Sequence, residues 1–156
     1  MKQHSYTSQI VWTGNNGTGT DHYKNYERSH TIKVTNKPII EGSSDPAFRG
    51  DSAKYNPEDL LLSAVSSCHM LWYLHLCTTQ HIIVEEYIDN AEGIMLEEHD
   101  GKGYFTQVTL RPVVIVKTED MVEKAIELHN KANEYCFIAN SVNFPIRHCP
   151  IVRVKE

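Results

Sequence analysis

One segment constrains the fold of this chain more than any other: a sharp helix start that leads directly into a long apolar run. Residues 56–59, NPED, offer a capping asparagine, a proline suited to the first helical position and two acids for the positive first turn. Residues 60–77, LLLSAVSSCHMLWYLHLC, are apolar on almost every face of that helix. Such a helix is buried on most sides. The sequence therefore predicts a helix that ends near Thr78 and is wrapped by other elements.

The same run is long enough to raise the question of a membrane span. It contains two histidines, three serines and two cysteines, and polar groups at that density are costly in lipid, so a core helix fits better. Residues 1–12 lack the apolar stretch of a secretory signal, and we expect a cytoplasmic protein with no membrane partner. The formal net charge is -5 and the 15 basic residues are scattered, which argues against nucleic acid as a partner.

The rest of the chain alternates between strand-like segments and one further helix. Predicted strands cover residues 5–12, 28–35, 38–40, 81–98, 104–117 and 144–155. The second helix should run from about Thr118 to Tyr135, followed by a short helical piece over 136–142. Its predicted apolar stripe consists of Met121, Val122, Ala125, Ile126 and His129. Because the strands are grouped around two helices, the pattern is typical of an α+β protein, and nothing divides the chain, so we expect a single domain over 1–156.

Cys68 lies inside the first helix, where a cysteine is usually a small hydrophobic residue. Glu58 precedes it by ten residues, about 15 Å along the helix axis and roughly 80° around it, so the two side chains should not touch directly. Arg49, in the loop before the helix, is long enough to bridge them. A guanidinium beside a thiol favours the thiolate, which is the form that attacks.

The other cysteines leave several interpretations open. Cys136 follows the second helix, where it can simply fill space, and spacing alone does not pair it with Cys68. The segments Cys68-His69 and His75-Leu76-Cys77 suggest zinc, but the Cys-x2-Cys spacing of zinc sites is absent and adjacent residues on a helix diverge by about 100°. We therefore expect no metal.

Residues 56–68, NPEDLLLSAVSSC, closely resemble the NPE(Q/E/D)L-x-x-(A/S)-A-x-x-x-C signature of the OsmC/Ohr family. The second helix ends in Ala132-x-x-x-Cys136, which resembles the second element of that family, and the predicted element order agrees from about residue 5 to 155. The resemblance implies an OsmC-like fold, in which antiparallel sheets wrap two central helices in an intertwined homodimer. A dimer of this kind would also bury the apolar first helix.

The resemblance further implies a thiol-dependent peroxidase that needs no cofactor. Cys68 matches the cysteine that attacks an organic peroxide, with hydrogen peroxide as a second substrate class, and Cys136 matches the cysteine that resolves the sulfenic acid as a disulfide. Glu58 matches the residue that orients the active-site arginine. Arg49 fits the placement of that arginine in the OsmC branch, and Arg28 is the alternative.

The implied partners are a small-molecule peroxide, an external thiol reductant and a second copy of the chain. A function of another class stays open: an OsmC-fold stress protein that binds a small apolar ligand without catalysis. Residues 136–139, Cys-Phe-Ile-Ala, depart from the Cys-Pro-x-Ser that the family often has there, and this favours the alternative. A count of free thiols after exposure to peroxide separates the two functions.

Overall fold

The computed structural model describes residues 1–155, and these residues form two compact units, Met1–Leu60 and the chain from Leu61 onward. Both helices and all the strands of the predicted α+β pattern are present. Each unit is described separately below, and the expectation of a single domain stays a prediction.

The first unit contains a three-stranded antiparallel sheet in the order β1 (Gln9–Trp12), β2 (His30–Lys33) and β3 (Ile40–Gly42). The strand predicted at 38–40 lies two residues later, because Pro38 has no N–H to donate to the ladder. Gly42 packs directly against the His30 ring, where a Cβ atom would come within 2.3 Å of Nε2.

Helix α1 (Pro57–Thr79) begins as the sequence predicts. The Asn56 Oδ1 accepts a hydrogen bond from the Asp59 N–H at 2.7 Å, and the Asp59 carboxylate accepts one from the Asn56 N–H at 3.2 Å, which closes a capping box. The helix ends one residue beyond the predicted Thr78, and the chain then turns through His81 at a φ of 58°.

The burial of α1 differs from the prediction. Its fully buried residues form one stripe at four-residue steps: Val65, His69, Tyr73 and Cys77. Leu71 on another face is 63% exposed. By length and composition α1 is apolar enough to cross a membrane, which is weak evidence for a span because the core helix of a soluble protein passes the same test. The expectation of burial on most sides is therefore wrong for the described residues of one chain.

The two long strands predicted at 81–98 and 104–117 form one hairpin that is broken at a corner. The first becomes β4 (Val84–Asp89) and β5 (Glu92–Glu97), and the second becomes β6 (Gly103–Leu110) and β7 (Pro112–Val116). Strand β5 pairs with β6 and β4 pairs with β7, both antiparallel, so the two halves of the hairpin belong to different sheets.

Helix α2 (Val122–Tyr135) follows a 3₁₀ turn over Glu119–Met121, in agreement with the predicted helix. Its fully buried stripe is Ala125, Leu128, His129 and Ala132. Ile126 was expected in this stripe, but it is exposed, because only residues three, four and seven positions from Ala125 share its helix face.

The last predicted strand is bent, as its two prolines suggest. It forms β8 (Ile146–His148) and β9 (Ile151–Val154), separated by Cys149 and Pro150, and each is the edge strand of one sheet. Both pair in parallel, β8 with β6 and β9 with β7, so these sheets are mixed rather than purely antiparallel. The main core of the second unit joins α1, α2 and the β4-β7-β9 sheet through Tyr73, Cys77, Val114, Val116, Ala125, Leu128 and Val152.

Candidate active site

The two cysteines singled out from the sequence meet in the second unit. Cys68 lies at the middle of α1 and is partly exposed, whereas Cys136 follows the last residue of α2 and is fully buried. The two thiols are close enough for Cys68 to contribute to the raised pKa of Cys136. Both cysteines are free. Spacing alone did not predict this proximity, which follows from how the second unit packs α1 against the end of α2.

Contacts among three aromatic side chains fix the end of α2 against α1. The Trp72 ring, one helical turn after Cys68, lies 5.2 Å from the ring of Tyr135 and 5.5 Å from that of Phe137, measured between centroids. Tyr135 and Phe137 flank Cys136 in sequence. Because Trp72 contacts both neighbours of Cys136, the end of α2 is fixed beside the turn of α1 that follows Cys68.

The surroundings of Cys136 keep its thiol protonated. Burial, reinforced by hydrogen bonding to Cys68, raises the pKa of Cys136 to about 11, while the N–H of Ala139 opposes this by donating to its sulfur at 3.4 Å.

An apolar pocket of about 240 Å³ opens beside this pair on the same face of α1. It is lined by Leu71, Trp72 and His75, at three, four and seven residues from Cys68. Phe137, which is 67% exposed, extends the apolar surface next to Cys136. The arrangement can accept the hydrocarbon part of a ligand close to the two sulfurs.

A larger cavity of about 550 Å³ lies on another face of α1, between that helix and the end of β4. Its lining includes Ser66, whose hydroxyl donates to the Asp89 carboxylate at 2.5 Å. Ser66 is about 160° around the helix from Cys68, so this cavity does not belong to the thiol pair.

Arg49, Arg28 and Glu58 belong to the first unit. Arg49 is exposed, ends the 3₁₀ turn Pro46–Phe48 at a φ of 65°, and places its guanidinium over the Tyr23 ring, 5.7 Å from the centroid. Arg28 is more firmly held, because its guanidinium donates to the carbonyl oxygens of Tyr26 at 2.6 Å and Tyr23 at 2.9 Å. Arg49 therefore has fewer bonds to break before it can contact another group.

Glu58 lies in the first turn of α1 and is partly buried. Within residues 1–155 the salt bridges include neither Glu58 nor Arg49. The roles of these two residues beside Cys68 stay predictions.

The remaining two cysteines have different surroundings. Cys77 is buried beside Tyr73 in the main core, and burial raises its pKa to about 11, with the Tyr73 hydroxyl acting in the opposite direction. Cys149 is exposed at the bend between β8 and β9, where its N–H donates to the Leu110 carbonyl oxygen at 2.9 Å. In residues 1–155 no group of three or more histidine, cysteine or acidic side chains is arranged to hold a metal ion.

Three histidines that the sequence analysis left unassigned, or placed only in an apolar stripe, meet inside the second unit. His69 Nε2 and His129 Nδ1 are 3.0 Å apart, and the His148 ring stacks on that of His69 with 5.7 Å between centroids. The signal for His69 was available in the four-residue spacing of Val65, His69 and Tyr73. No comparable pattern marks His148 on its three-residue strand.

The sequence of this chain also matches a known protein family. Residues 50–149 match the OsmC-like protein family. The chain belongs to the OsmC-like family. This match includes the helix start, both helices and both cysteines of the site, and it confirms the resemblance that the motif around Cys68 indicated.

Similar proteins agree over nearly the whole chain. An OsmC-like protein of unknown function from Vibrio cholerae is 30% identical, with a TM-score of 0.85 over 96% of this chain and 100% of that one. The uncharacterized protein YmaD of Bacillus subtilis is 26% identical over 148 residues, 91% of this chain and 89% of YmaD. An organic hydroperoxide resistance protein from Legionella pneumophila shares the fold at 15% identity, with a TM-score of 0.71 over 99% of this chain and 100% of that one. The OsmC-like protein described here thus has the fold of proteins named for hydroperoxide resistance.

Proposed function

We propose that this OsmC-like protein is a cysteine-based peroxidase, in which Cys68 attacks a hydroperoxide and Cys136 resolves the product. The observation that carries the proposal is the contact between the two thiols, one partly exposed and the other buried and protonated. A thiolate is the attacking species in such chemistry, and a second thiol within reach prevents over-oxidation.

The reaction divides into two balanced steps. The Cys68 thiolate attacks the distal oxygen of R–OOH, an S–O bond forms, the O–O bond breaks, and the alkoxide leaves as the alcohol after taking a proton. The Cys136 sulfur then attacks the Cys68 sulfenic acid, an S–S bond forms, the S–O bond breaks, and the hydroxide leaves as water with the Cys136 proton. Two electrons from an external thiol reductant restore both thiols.

The pocket beside the thiols favours organic over hydrogen peroxide. Leu71, Trp72 and Phe137 present hydrocarbon and aromatic surface next to the sulfurs. An alkyl or aryl group buried there adds about 25 cal/mol per Å² of apolar area, a contribution that hydrogen peroxide cannot make. We assign Arg49 the role of polarising the peroxide and Glu58 that of orienting Arg49, with Arg28 as the alternative arginine.

The test is a free-thiol count before and after one equivalent of cumene hydroperoxide. The chain has four cysteines, and all are free in the structure. A peroxidase loses two thiols and yields one equivalent of cumyl alcohol. A protein that only binds an apolar ligand loses none, and that result would replace the peroxidase by the binding function.

We propose further that the protein works as a twofold homodimer. Leu71 on α1 is 63% exposed, and Ile10 and Ile39 of the first unit are 59% and 54% exposed. Apolar residues exposed in this way mark an interaction surface when they are contiguous. Light scattering at micromolar concentration should give about twice the chain mass of 17.9 kDa. A particle of single-chain mass would exclude the dimer.

A further inference from the structure

A buried hydrogen bond between two histidines links the same two helices that carry the reactive thiols. His69 belongs to α1 and is 1% exposed, and His129 belongs to α2 and is fully buried. Their rings lie almost parallel, 8° apart in plane, with the 3.0 Å contact between Nε2 of His69 and Nδ1 of His129. The peroxidase cycle described above uses neither side chain.

On each helix, the histidine of this contact lies near the cysteine in sequence. His69 directly follows Cys68 in α1. His129 lies two helical turns before Cys136, which ends α2 and bonds back to the Ala132 carbonyl oxygen at 3.0 Å. A change in the distance between the two rings therefore changes the distance between the two sulfurs.

The pair is poorly explained as ordinary core packing. His69 Nδ1 and His129 Nε2 are buried and have no hydrogen-bond partner within residues 1–155. An unpaired polar atom in the interior costs free energy, so two apolar side chains of similar shape would stabilise the core more. What the histidines add is one directional bond between α1 and α2, with the His129 ring stacked on Tyr73 at 3.9 Å between centroids.

We propose, building on the peroxidase function above, that the His69–His129 hydrogen bond holds α1 and α2 at the separation that lets Cys136 reach the oxidised Cys68. His69 and His129 are then positioning residues. They contact neither the peroxide nor the sulfurs, and they set the rate of disulfide formation rather than the rate of the first oxidation. The Cys136 sulfur must approach the Cys68 sulfur in line with the breaking S–O bond, so a small displacement of one helix slows this step strongly.

The surroundings of the pair keep both rings neutral. The titratable groups that face it are His148 from β8 and Tyr73 from α1, and Tyr87 from β4 packs on Tyr73. None of these is a carboxylate that would compensate a positive charge. Burial, with His148 adding to it, lowers the pKa of His69 to about 4, and burial together with both other histidines lowers that of His129 to about 3. At neutral pH one neutral ring therefore donates to the other.

The test compares apolar and amide replacements. In His69→Leu and His129→Leu the bond is lost, whereas the amide of His69→Gln reaches the place of Nε2 and that of His129→Asn the place of Nδ1. His99→Gln in an exposed turn is the matched control. Each variant is mixed with cumene hydroperoxide in a single turnover, and intact-protein mass spectrometry follows the Cys68 sulfenic acid, the disulfide and the sulfinic acid over time.

We expect all five variants to form the sulfenic acid at the wild-type rate. The two leucine variants should form the disulfide about ten-fold more slowly and accumulate sulfinic acid, while the two amide variants and His99→Gln stay within about two-fold of wild type.

Each result bears on one proposal. Leucine variants that resolve at the wild-type rate would overturn the positioning role and leave the peroxidase intact. Absence of sulfenic acid in wild type would instead overturn the peroxidase. If the leucine variants do not fold, as judged by circular dichroism, the decision rests on the mismatched amides His69→Asn and His129→Gln, which do not reach the bonded atoms: disulfide formation at the wild-type rate in both overturns the proposal.

Discussion

Helix α1 carries two cysteines that differ in exposure and in their neighbours. Cys68 at its middle is partly exposed and lies near a second thiol, whereas Cys77 near its end is buried against Tyr73 and the sheet core. The two are nine residues apart, which places them on opposite faces of the helix. The proposed function therefore uses one cysteine of this helix and leaves the other in the core.

The difference shows that helix periodicity, rather than apolar composition, decides which cysteine can react. Cys77 extends the buried stripe of Val65, His69 and Tyr73, so its thiol meets only core atoms. Cys68 lies outside that stripe and beside the apolar pocket. Cys77 is 1% exposed, which keeps a peroxide from its thiol, whereas a pKa of about 11 is common to Cys77 and Cys136 and does not distinguish them.

The largest expected effect is a difference in activity between variants of the two cysteines of α1. Cys68→Ser should reduce peroxide consumption to the uncatalysed rate, because a hydroxyl cannot replace the attacking thiolate. Cys77→Ala should leave the rate within about two-fold and lower the free energy of unfolding by about 1 kcal/mol, since it removes one buried sulfur. The measurement is loss of cumene hydroperoxide with excess dithiothreitol. Equal losses of activity in the two variants would break the comparison.

The second prediction asks which thiol resolves Cys68. Cys136→Ser should consume one equivalent of peroxide and then over-oxidise Cys68 to the sulfinic acid, because no thiol remains within reach of the sulfenic acid. Cys149→Ser at the exposed bend is the control and should cycle normally. Peptide mass spectrometry reports the oxidation state of Cys68. A disulfide between Cys68 and Cys149 in the Cys136→Ser variant would contradict the assignment.

A smaller effect is expected from the arginine. Arg49→Ala should slow alkylation of Cys68 by iodoacetamide about ten-fold near neutral pH, because the thiolate loses a neighbouring positive charge. The background has Cys77, Cys136 and Cys149 replaced by serine. Arg28→Ala is the matched variant, and a slower reaction there with an unchanged Arg49→Ala curve would transfer the role to Arg28. If neither variant slows the reaction, Cys68 is a packing residue.

The last prediction concerns the two buried histidines that join α1 and α2. His69 and His129 stay neutral in the folded chain down to pH values near 4 and 3, whereas in the unfolded chain they take up protons near 6.5. The unfolded state therefore binds more protons below pH 6.5, and the free energy of unfolding should fall by up to about 1.4 kcal/mol per pH unit for each histidine.

Above pH 6.5 these two histidines do not make the free energy of unfolding depend on pH, because they are neutral in both the folded and the unfolded chain. Urea unfolding at pH 7, 6 and 5 measures the effect. His129→Asn should show a shallower slope, and Cys68→Ser should keep the full slope of wild type. A wild-type free energy of unfolding that is flat from pH 7 to 5 would contradict the burial of neutral imidazoles.

Local sequence signals predicted the elements well and their packing poorly. The capping box at Asn56 and the proline-broken last strand were both readable, because each depends on neighbouring residues. The exposure of Ile126 and the parallel pairing of β8 and β9 were not, because each depends on which distant element arrives as a neighbour.

The same contrast between local signals and distant contacts applies to the candidate site. The family resemblance suggested roles for both Cys68 and Cys136, and these roles stay predictions, but periodicity alone could not bring the two together. The His69–His129 bond joins residues 60 positions apart in sequence, and no local pattern encodes such a contact. The places of Arg49 and Glu58 at the site were inferred from the resemblance and still depend on experiment.

The parallel pairing of the last two strands sets the order in which the chain can fold. The hairpin that forms β4 to β7 closes between near neighbours, but β8 and β9 pair only after α2 has crossed over, which costs loop-closure entropy in advance. Val152 of β9 completes the core that holds α2, and Cys136 lies on this crossover. We therefore expect the helix of Cys68 to form before Cys136 is held beside it. Refolding in the presence of peroxide but without a reductant should then over-oxidise Cys68, whereas the folded protein forms the disulfide.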